Sequence, residues 1–417
     1  VMFAKVRDRN IWVVYATTLL LGIAYGVAIA SIGVFLDSEG FDKGEIGSLA
    51  TAFALGIVVF SMPVGSLIRR FGGKPVLAIS LLIYAATIST FPLVSSSYWG
   101  VAGIRFLDGA ASAGIWISSE TILLSRSRMD AKALVMSLYS IAISIGYVIG
   151  PIISDALTGV IPISRTYYVS GGLSVLAALF AGLALQGQSR AAREASGHGE
   201  TRPAGSEPLT HPLSLLWRIK NSCFASFAYG YFQSSVVLFI PLWLTTSRDI
   251  AADRTLLVTA YFAAGMLLFA NLMGRAGDRF GHLLVMRTQA CIGTVFLALL
   301  PLMHNYAVIC AFIFVAGATF ATISPVSLAL QGISVKPHDY ARANSLYNAF
   351  YALGMLTGPP ISSYFFRAYS GGAMFEHLAV LWGAFVVFTF VFRRDDPHVT
   401  GVKGKPRGVA IVDPVEV

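Results

Sequence analysis

The chain has 417 residues, of which 56% are hydrophobic and 12% are charged, with 30 lysines and arginines against 21 acidic residues. Soluble domains carry about 25% charged residues, so this composition excludes a water-soluble protein and favours one whose surface faces lipid. The three cysteines, at positions 223, 291 and 310, are too scattered for a disulfide framework or a zinc site.

Twelve apolar runs follow one another along the chain. A helix needs about 20 mainly apolar residues to cross the hydrocarbon core of a bilayer. The runs occupy residues 11–36, 46–68, 75–95, 98–124, 134–158, 166–187, 219–247, 255–274, 283–304, 306–331, 343–367 and 371–393. These lengths disfavour a soluble all-helical core. The first run lacks a small-residue cleavage site and is expected to be a retained membrane anchor.

Positive charge is unevenly distributed between the predicted loops. With the N-terminus inside, the inner segments hold 24 of the 30 lysines and arginines, and the outer loops hold five. Cytoplasmic segments of membrane proteins are enriched in these residues, so both termini are predicted to be cytoplasmic. The net charge of +9 is then a topology signal, and we expect no nucleic-acid partner.

A polar segment separates the sixth run from the seventh. Its sequence, QSRAAREASGHGETRPAGSEPLTHP, is rich in Ala, Gly, Ser and Pro and has too few apolar residues to form a core. We therefore predict four regions. They are an N-terminal six-helix bundle (1–187), a flexible cytoplasmic linker (188–218), a C-terminal six-helix bundle (219–393) and a cytoplasmic tail (394–417).

The two halves repeat each other. SLYSIAISIGYVIGPIIS (137–154) and SLYNAFYALGMLTGPPIS (345–362) are identical at eight of eighteen positions, at an offset of 208. GSLIRRFGGK (65–74) and GRAGDRFGH (274–282) follow the second span of each half. Such repeats predict duplicated six-helix bundles, a plan typical of transporters that move two halves around a midplane site.

On these stretches the chain resembles the major facilitator superfamily over essentially its whole length. The resemblance implies an all-α membrane protein with 12 transmembrane helices in two pseudo-symmetric six-helix bundles. Residues 65–74 and 274–282 resemble the family's loop motif, roughly G-x-L-x-D-R-x-G-R/K, which implies a conformational gate at Arg69, Arg70, Asp278 and Arg279. Arg69 stands where the family has an acid, so plain anchoring at the inner face is the alternative for the first copy.

A second motif, G-x-x-x-G-P, occurs in the fifth and eleventh spans. Small residues four apart share one helix face and allow close helix contact, and proline permits a kink. In the fifth span the motif resembles the antiporter motif of exporters, although the following IISD lacks the usual second glycine pair. Helix packing alone is the alternative. The residues are Gly146, Gly150, Pro151, Gly354, Gly358 and Pro359.

The fourth span carries three ionisable residues, Arg105, Asp108 and Glu120. Charge within a membrane is costly, so these residues are functional candidates. Arg105 and Asp108 are three positions apart on a helix and can pair. RFLDG (105–109) resembles the family's R-x-x-Q-G motif with Asp for Gln, which implies that Arg105 is linked to proton movement or substrate charge and that Asp108 adds a protonatable group. With Glu120 of the same span, these residues are the proton-coupling candidates. The alternatives are a static ion pair and, for Glu120, a side chain that reaches the membrane interface.

The resemblance also implies a central cavity lined by spans 1, 4, 7 and 10 with help from 2, 5, 8 and 11. The candidate substrate-binding residues are Tyr25, Ser112, Trp116, Tyr229, Gln233, Thr322, Tyr347, Asn348 and Tyr351. For any one aromatic residue, packing is the alternative. The C-terminal half has almost no charge at mid-depth, so the cavity suits a neutral or cationic amphiphile better than a phosphate ester.

Together these features imply a secondary active transporter of the plasma (bacterial inner) membrane, with proton-coupled export of small lipophilic or cationic compounds as the leading hypothesis. Proton-coupled uptake of a nutrient or metabolite, a lipid or lysolipid translocator and a non-transporting receptor remain alternatives. The sequence has no G-x-x-x-x-G-K-[ST] nucleotide loop, catalytic triad or metal site, so we expect neither an enzyme nor a cofactor. The expected partners are a small-molecule substrate, protons and membrane lipids, with the chain acting as a monomer.

Overall fold

A computed structural model describes residues 8–41, 43–186, 210–250 and 252–396. Within these residues the chain forms twelve long helices, which confirms the predicted all-α class. The helices are α1 (Arg9–Ser38), α2 (Lys43–Phe71), α3 (Gly73–Thr90), α4 (Tyr98–Arg126), α5 (Lys132–Thr158), α6 (Ile163–Ala184), α7 (Pro212–Ser247), α8 (Ala252–Phe280), α9 (His282–Leu299), α10 (Tyr306–Ser334), α11 (Tyr340–Ala368) and α12 (Gly371–Val391).

Eight segments in the described part of the chain are long and apolar enough to cross a membrane. They are Arg9–Ile29, Ser48–Phe71, Gly73–Leu93, Met129–Thr158, Ile163–Ala184, His282–Leu302, Tyr306–Ser334 and Gly371–Val391. The other helices, α4, α7, α8 and α11, are each at least 29 residues long. At 1.5 Å per residue they exceed the roughly 30 Å of hydrocarbon and are long enough to cross it.

Helix α7 begins earlier than its apolar run. Its first residue is Pro212, so residues 212–218, which the sequence analysis places in the linker, belong to the helix. Proline suits a first helical position because its fixed φ is helical and it lacks only an N–H that would be unpaired there. Leu215 in this extension is buried, as is Ile219 one turn further along the helix. Residues 187–209 and 397–417, which hold most of the predicted linker and tail, lie outside the described residues.

Two glycines at matching places in the halves form one-residue junctions between helices. Gly72 joins α2 to α3 with φ +89°, and Gly281 joins α8 to α9 with φ +105°. Side chains other than hydrogen rarely tolerate this backbone region, which explains the glycine in both copies of the loop motif. We refer to the end of the molecule where these junctions lie as the loop-motif end.

Within each half, one helix pair is packed closely through glycines. Gly146 and Gly150 of α5 face Gly22 and Gly26 of α1, and a Cβ added at Gly150 would lie 2.5 Å from Gly26 Cα. In the second half α11 packs on α7 in the same way, with Gly354 against Phe227 and Gly358 against Tyr231. The G-x-x-x-G-P stretches therefore lie where the helix backbones come into contact.

Two of the contacts between the halves are equivalent to each other, α2 with α11 and α5 with α8. A Cβ at Gly65 would meet the Ser345 hydroxyl, and one at Gly274 would meet the Ser137 hydroxyl. Ser137 and Ser345 are equivalent positions, 208 residues apart in the two halves. The first glycine of each loop motif therefore packs on the equivalent serine of the opposite half. One buried hydrophobic cluster lies within the C-terminal half, and a second, formed mainly by the N-terminal half, extends into the C-terminal half at Leu328 and Tyr340.

Candidate functional site

The fourth helix carries a buried ion pair. Arg105 Nη1 donates to Asp108 Oδ2 at 2.5 Å, and Asp108 is 3% exposed. The guanidinium also lies over the ring of Phe53, 4.6 Å from its centroid. The other carboxylate oxygen, Asp108 Oδ1, is buried and has no hydrogen-bond partner among the described residues. It is therefore an acceptor that a proton or a ligand could occupy.

The second half has no counterpart of this pair. In the matching helix, α10, the positions 208 residues later are Ile313 and Ala316. The equivalence is structural, because Gly109 packs on the backbone of Phe53 and Gly317 packs on the backbone of Phe262. Gly317 also begins a π-helical turn, Gly317–Ala321, within α10. The ion pair thus belongs to one half only.

Four aromatic side chains form a row from one half to the other, which we name the aromatic row: Tyr25, Trp116, Tyr351 and Tyr229. Ring centroids lie 6.5 Å apart for Tyr25 and Trp116, 6.1 Å for Trp116 and Tyr351, and 6.1 Å for Tyr351 and Tyr229. These separations are typical of interacting aromatic pairs. Trp116 Nε1 is buried with no hydrogen-bond partner in the described part of the chain, so it is available as a donor.

Polar groups fix two of the four rings in the aromatic row. The Tyr25 and Ser112 hydroxyls are 2.6 Å apart, and the Tyr351 hydroxyl donates to Gln233 Oε1 at 2.7 Å. Two further aromatic residues that sequence reasoning missed contact Tyr25. Tyr147 stacks on it with centroids 6.2 Å apart, and Tyr84 meets it edge-on at 4.7 Å. The position of Tyr147 directly after Gly146, at the α1 contact, is the signal that could have identified it.

Glu120 connects the halves. Its Oε2 accepts a 2.7 Å hydrogen bond from Asn348 Nδ2 of α11, and Glu120 is 5% exposed. One turn away, Asn344 Nδ2 donates to Thr121 Oγ1 at 2.9 Å, and Gln331 donates to Asn344. We name these five residues the inter-half network. Glu120 is thus buried between the halves and does not reach the membrane interface.

Three of the predicted substrate-binding residues point elsewhere. Thr322 is fully buried, donates to Ala318 O at 2.7 Å and accepts from Gln289 of α9. The Tyr347 hydroxyl lies 2.9 Å from Ser327 Oγ within the C-terminal half. Asn348 belongs to the inter-half network. The structure therefore brings the aromatic row, Ser112 and Gln233 together and places these three residues outside that group.

Comparison with known proteins identifies the fold. The family profile of the Major Facilitator Superfamily matches residues 14–250 and 222–414, which together cover most of the chain. This chain belongs to the Major Facilitator Superfamily. It is a multi-pass membrane transporter and not an enzyme.

Relatives of this transporter come from bacteria. It is 26% identical over 401 residues to an MFS-type transporter of Yersinia pseudotuberculosis serotype O:3 (strain YPIII), covering 94% of this chain and 98% of the relative. It is also 26% identical over 401 residues to an MFS-type transporter of Enterobacter sp. (strain 638), covering 95% and 98%.

Solved structures share the fold of this transporter. The human organic anion transporter MFSD10 (TETRAN) matches with a TM-score of 0.75 at 14% identity, covering 91% of this chain and 99% of that one. The transporter FucP in its outward conformation matches with a TM-score of 0.73 at 14% identity, covering 91% of this chain and 98% of that one. The proton:xylose symporter XylE matches with a TM-score of 0.74 at 13% identity, covering 92% of this chain and 96% of that one.

In this transporter the second loop motif contacts the opposite half. The carboxylate of Asp278 accepts hydrogen bonds from the backbone N–H groups of Ala133 at 3.1 Å and Leu134 at 3.0 Å. These are the first-turn donors of α5, which have no partner within the helix and favour a negative charge. Arg279 lies over the ring of its neighbour Phe280.

The first loop motif of the transporter is bonded differently. Arg69 donates to Gly65 O at 3.2 Å and to Ser66 Oγ at 2.9 Å, both in its own helix. The charges of Arg342 and Asp339, at the start of α11, are close enough to act on the Arg69 guanidinium. Asp339 precedes α11 and is 1% exposed. Asp339 pairs with Arg342 of its own half at 3.7 Å. Arg70 lies over the ring of Phe71.

A further contact between the halves joins the first residues of α5 and α11. Lys132 Nζ lies 4.8 Å from the ring centroid of Tyr340 and donates to Leu124 O at 2.6 Å. Lys132 is 1% exposed. Lys132 and Tyr340 are equivalent positions of the two halves, 208 residues apart. Together with Asp278 and the inter-half network, this contact holds the halves together toward the loop-motif end.

Proposed function

We propose that this transporter exports small lipophilic or cationic compounds in exchange for protons, by alternating access. In this proposal it works in the bacterial inner membrane, with both termini and the loop-motif end in the cytoplasm. It acts as a monomer, and its partners are the substrate, protons and membrane lipids. The observation that carries the proposal is the hydrogen bond between Glu120 and Asn348, which joins a buried carboxylate to the contact between the halves.

The aromatic row supports the proposed substrate class. Apolar surface contributes roughly 25 cal/mol per Å² buried, and a cation over an aromatic face gains about 0.5–2 kcal/mol. Asp108 Oδ1 and Trp116 Nε1 offer one acceptor and one donor that no described residue occupies. Arg105 of the fourth helix already binds Asp108 at 2.5 Å. An anionic substrate would therefore have to compete with Asp108 for the guanidinium.

Glu120 supplies a route from proton binding to movement. As a carboxylate it accepts a charge-assisted hydrogen bond from Asn348, which is about twice as strong as a neutral one. A proton on Glu120 removes the charge and weakens this bond, so the loop-motif end separates more readily. A ligand can shift two states only by its difference in affinity for them, and the loss of this bond supplies such a difference.

The test is transport in proteoliposomes that hold an imposed pH gradient, screened with cationic dyes and neutral amphiphiles. Export predicts that substrate moves against the proton gradient, and that Glu120→Gln abolishes the dependence on that gradient while substrate still binds. Asp130→Asn is the control, because Asp130 lies in an exposed loop paired with Arg128. Substrate movement in the same direction as protons would instead establish uptake. An unchanged gradient dependence in Glu120→Gln would refute the role of Glu120.

A further inference from the structure

A groove opens on the outer surface of the C-terminal half, away from the aromatic row. It lies between α7, α11 and α12, near the point where α11 ends and α12 begins, and has a volume of about 690 Å³. Tyr369 and Val380 on its walls are 68% and 72% exposed. Since these three helices belong to a membrane-spanning bundle, this surface faces lipid.

One wall of the groove is a stack of three rings. The His377 imidazole lies parallel to the Phe365 ring, with centroids 4.6 Å apart and an angle of 5° between the planes. Phe365 stacks on Tyr369 at 6.0 Å. His377 Nε2 is held 3.3 Å from the Tyr231 hydroxyl and 3.2 Å from the Ser362 hydroxyl. The imidazole is thus fixed, and the stack forms a rigid aromatic surface.

The groove also contains a carboxylate. Glu376 is exposed and makes no hydrogen bond or ion pair within the described part of the chain. It is the sixth residue of α12, about 8 Å along the helix from Gly371 at 1.5 Å per residue. A charge on a lipid-facing surface at this depth is unfavourable unless it reaches the interface or meets a counter-charge. Beside an aromatic wall, the matching counter-charge is an organic cation.

We propose that this groove binds a phospholipid through an ammonium headgroup. Glu376 neutralises the ammonium, the rings of Tyr369 and Phe365 contact it, and an acyl chain lies along Val380 and Ala384 further down α12. A lipid is favoured over a soluble cation because the groove opens toward lipid and continues along an apolar stretch of the helix. The site is separate from the proposed transport cavity.

The experiment is native mass spectrometry of the full-length protein, released from vesicles that hold equal amounts of phosphatidylethanolamine and phosphatidylglycerol with identical acyl chains. We expect the ethanolamine lipid to be retained preferentially. The preference should fall about tenfold in Glu376→Gln and also decline in Tyr369→Leu. Asp249→Asn is the matched control. It removes a carboxylate at the same end of the molecule, and Asn tolerates the φ of +53° at that position.

Equal retention of the two lipids, or an unchanged preference in Glu376→Gln, would overturn the proposal. So would binding of a soluble alkyl-trimethylammonium compound at Glu376 without any preference for the ethanolamine lipid, because the groove would then be a site for soluble cations. Thermal unfolding of each variant shows that it is folded. Since Glu376 is exposed and makes no ion pair with any described residue, Glu376→Gln should unfold at the wild-type temperature.

Discussion

Replacing Asn348 with alanine should open the loop-motif end. The change removes the donor that holds Glu120 across the halves at 2.7 Å and leaves the carboxylate buried. A hydrogen bond to a charged group contributes about 1.5–3 kcal/mol. Asn348 also donates to Asn344 O, but that bond lies within α11 and does not join the halves. At about 1.4 kcal/mol per factor of ten, the ratio of closed to open molecules should fall on the order of ten- to a hundredfold.

Spin labels at positions 128 and 336 would measure this shift. Arg128 and Lys336 are exposed and lie in equivalent loops of the two halves at the loop-motif end. With the three native cysteines replaced, wild type at alkaline pH should give one short distance, and Asn348→Ala should add a longer one. Acidification should produce the same longer distance in wild type, because a proton on Glu120 weakens the bond, but should have little effect in Glu120→Gln.

The matched control is Asn305→Ala. Asn305 caps the start of α10 at the opposite end, so its loss should cost about 1 kcal/mol of stability without opening the loop-motif end. Asn348→Ala should also have little effect in a Glu120→Gln background, since the charge-assisted bond is already absent. A distance distribution that is unchanged in Asn348→Ala at every pH would show that Glu120 and Asn348 do not hold this end closed.

Three further outcomes are expected. Asp108→Asn should abolish gradient-driven accumulation in vesicles while the protein stays folded, since it removes the protonatable group but keeps its shape; full accumulation, as in the Asp130→Asn control, would contradict this. Arg69→Asp should close the loop-motif end further, because the new carboxylate can accept hydrogen bonds from the first backbone N–H groups of α11, as Asp278 does at α5. Unchanged spin-label distances would indicate that Arg69 only anchors the loop at the inner face. Trp116→Ala should weaken the binding of neutral and cationic amphiphiles about ten- to a hundredfold, measured by thermal shift of the purified protein. Stronger stabilisation by dicarboxylates would argue against the aromatic row as the binding surface.

Sequence reasoning succeeds here where the information is local. Continuous apolar runs predict the twelve helices because a helix in lipid satisfies its own backbone hydrogen bonds. The contact between Arg105 and Asp108 also follows from spacing alone, since residues three apart on a helix are neighbours. Gly72 and Gly281 belong to a motif that the sequence shows. Their positive φ angles are known only from the structure.

The contacts that link helices could not be predicted in the same way. Glu120 and Asn348 are far apart in the sequence, and their meeting depends on how α4 lies against α11. Thr322 is in the expected helix, but it directly follows the π-helical turn. One extra residue in such a turn rotates the helix that follows by about 100°, which changes the face that a side chain occupies. Periodicity read from the sequence does not detect this rotation.

The contact between Lys132 and Tyr340 bears on how the two halves came to differ. The two positions are equivalent, so in an ancestor built from two identical half-chains the same residue would have faced itself across the two-fold axis. Two lysines at this distance would repel each other, and two tyrosines would supply no cation. The attraction between an ammonium and an aromatic ring therefore became possible only after the two copies had diverged. In a single chain the two equivalent positions can hold different residues, whereas in a symmetric dimer they must hold the same one.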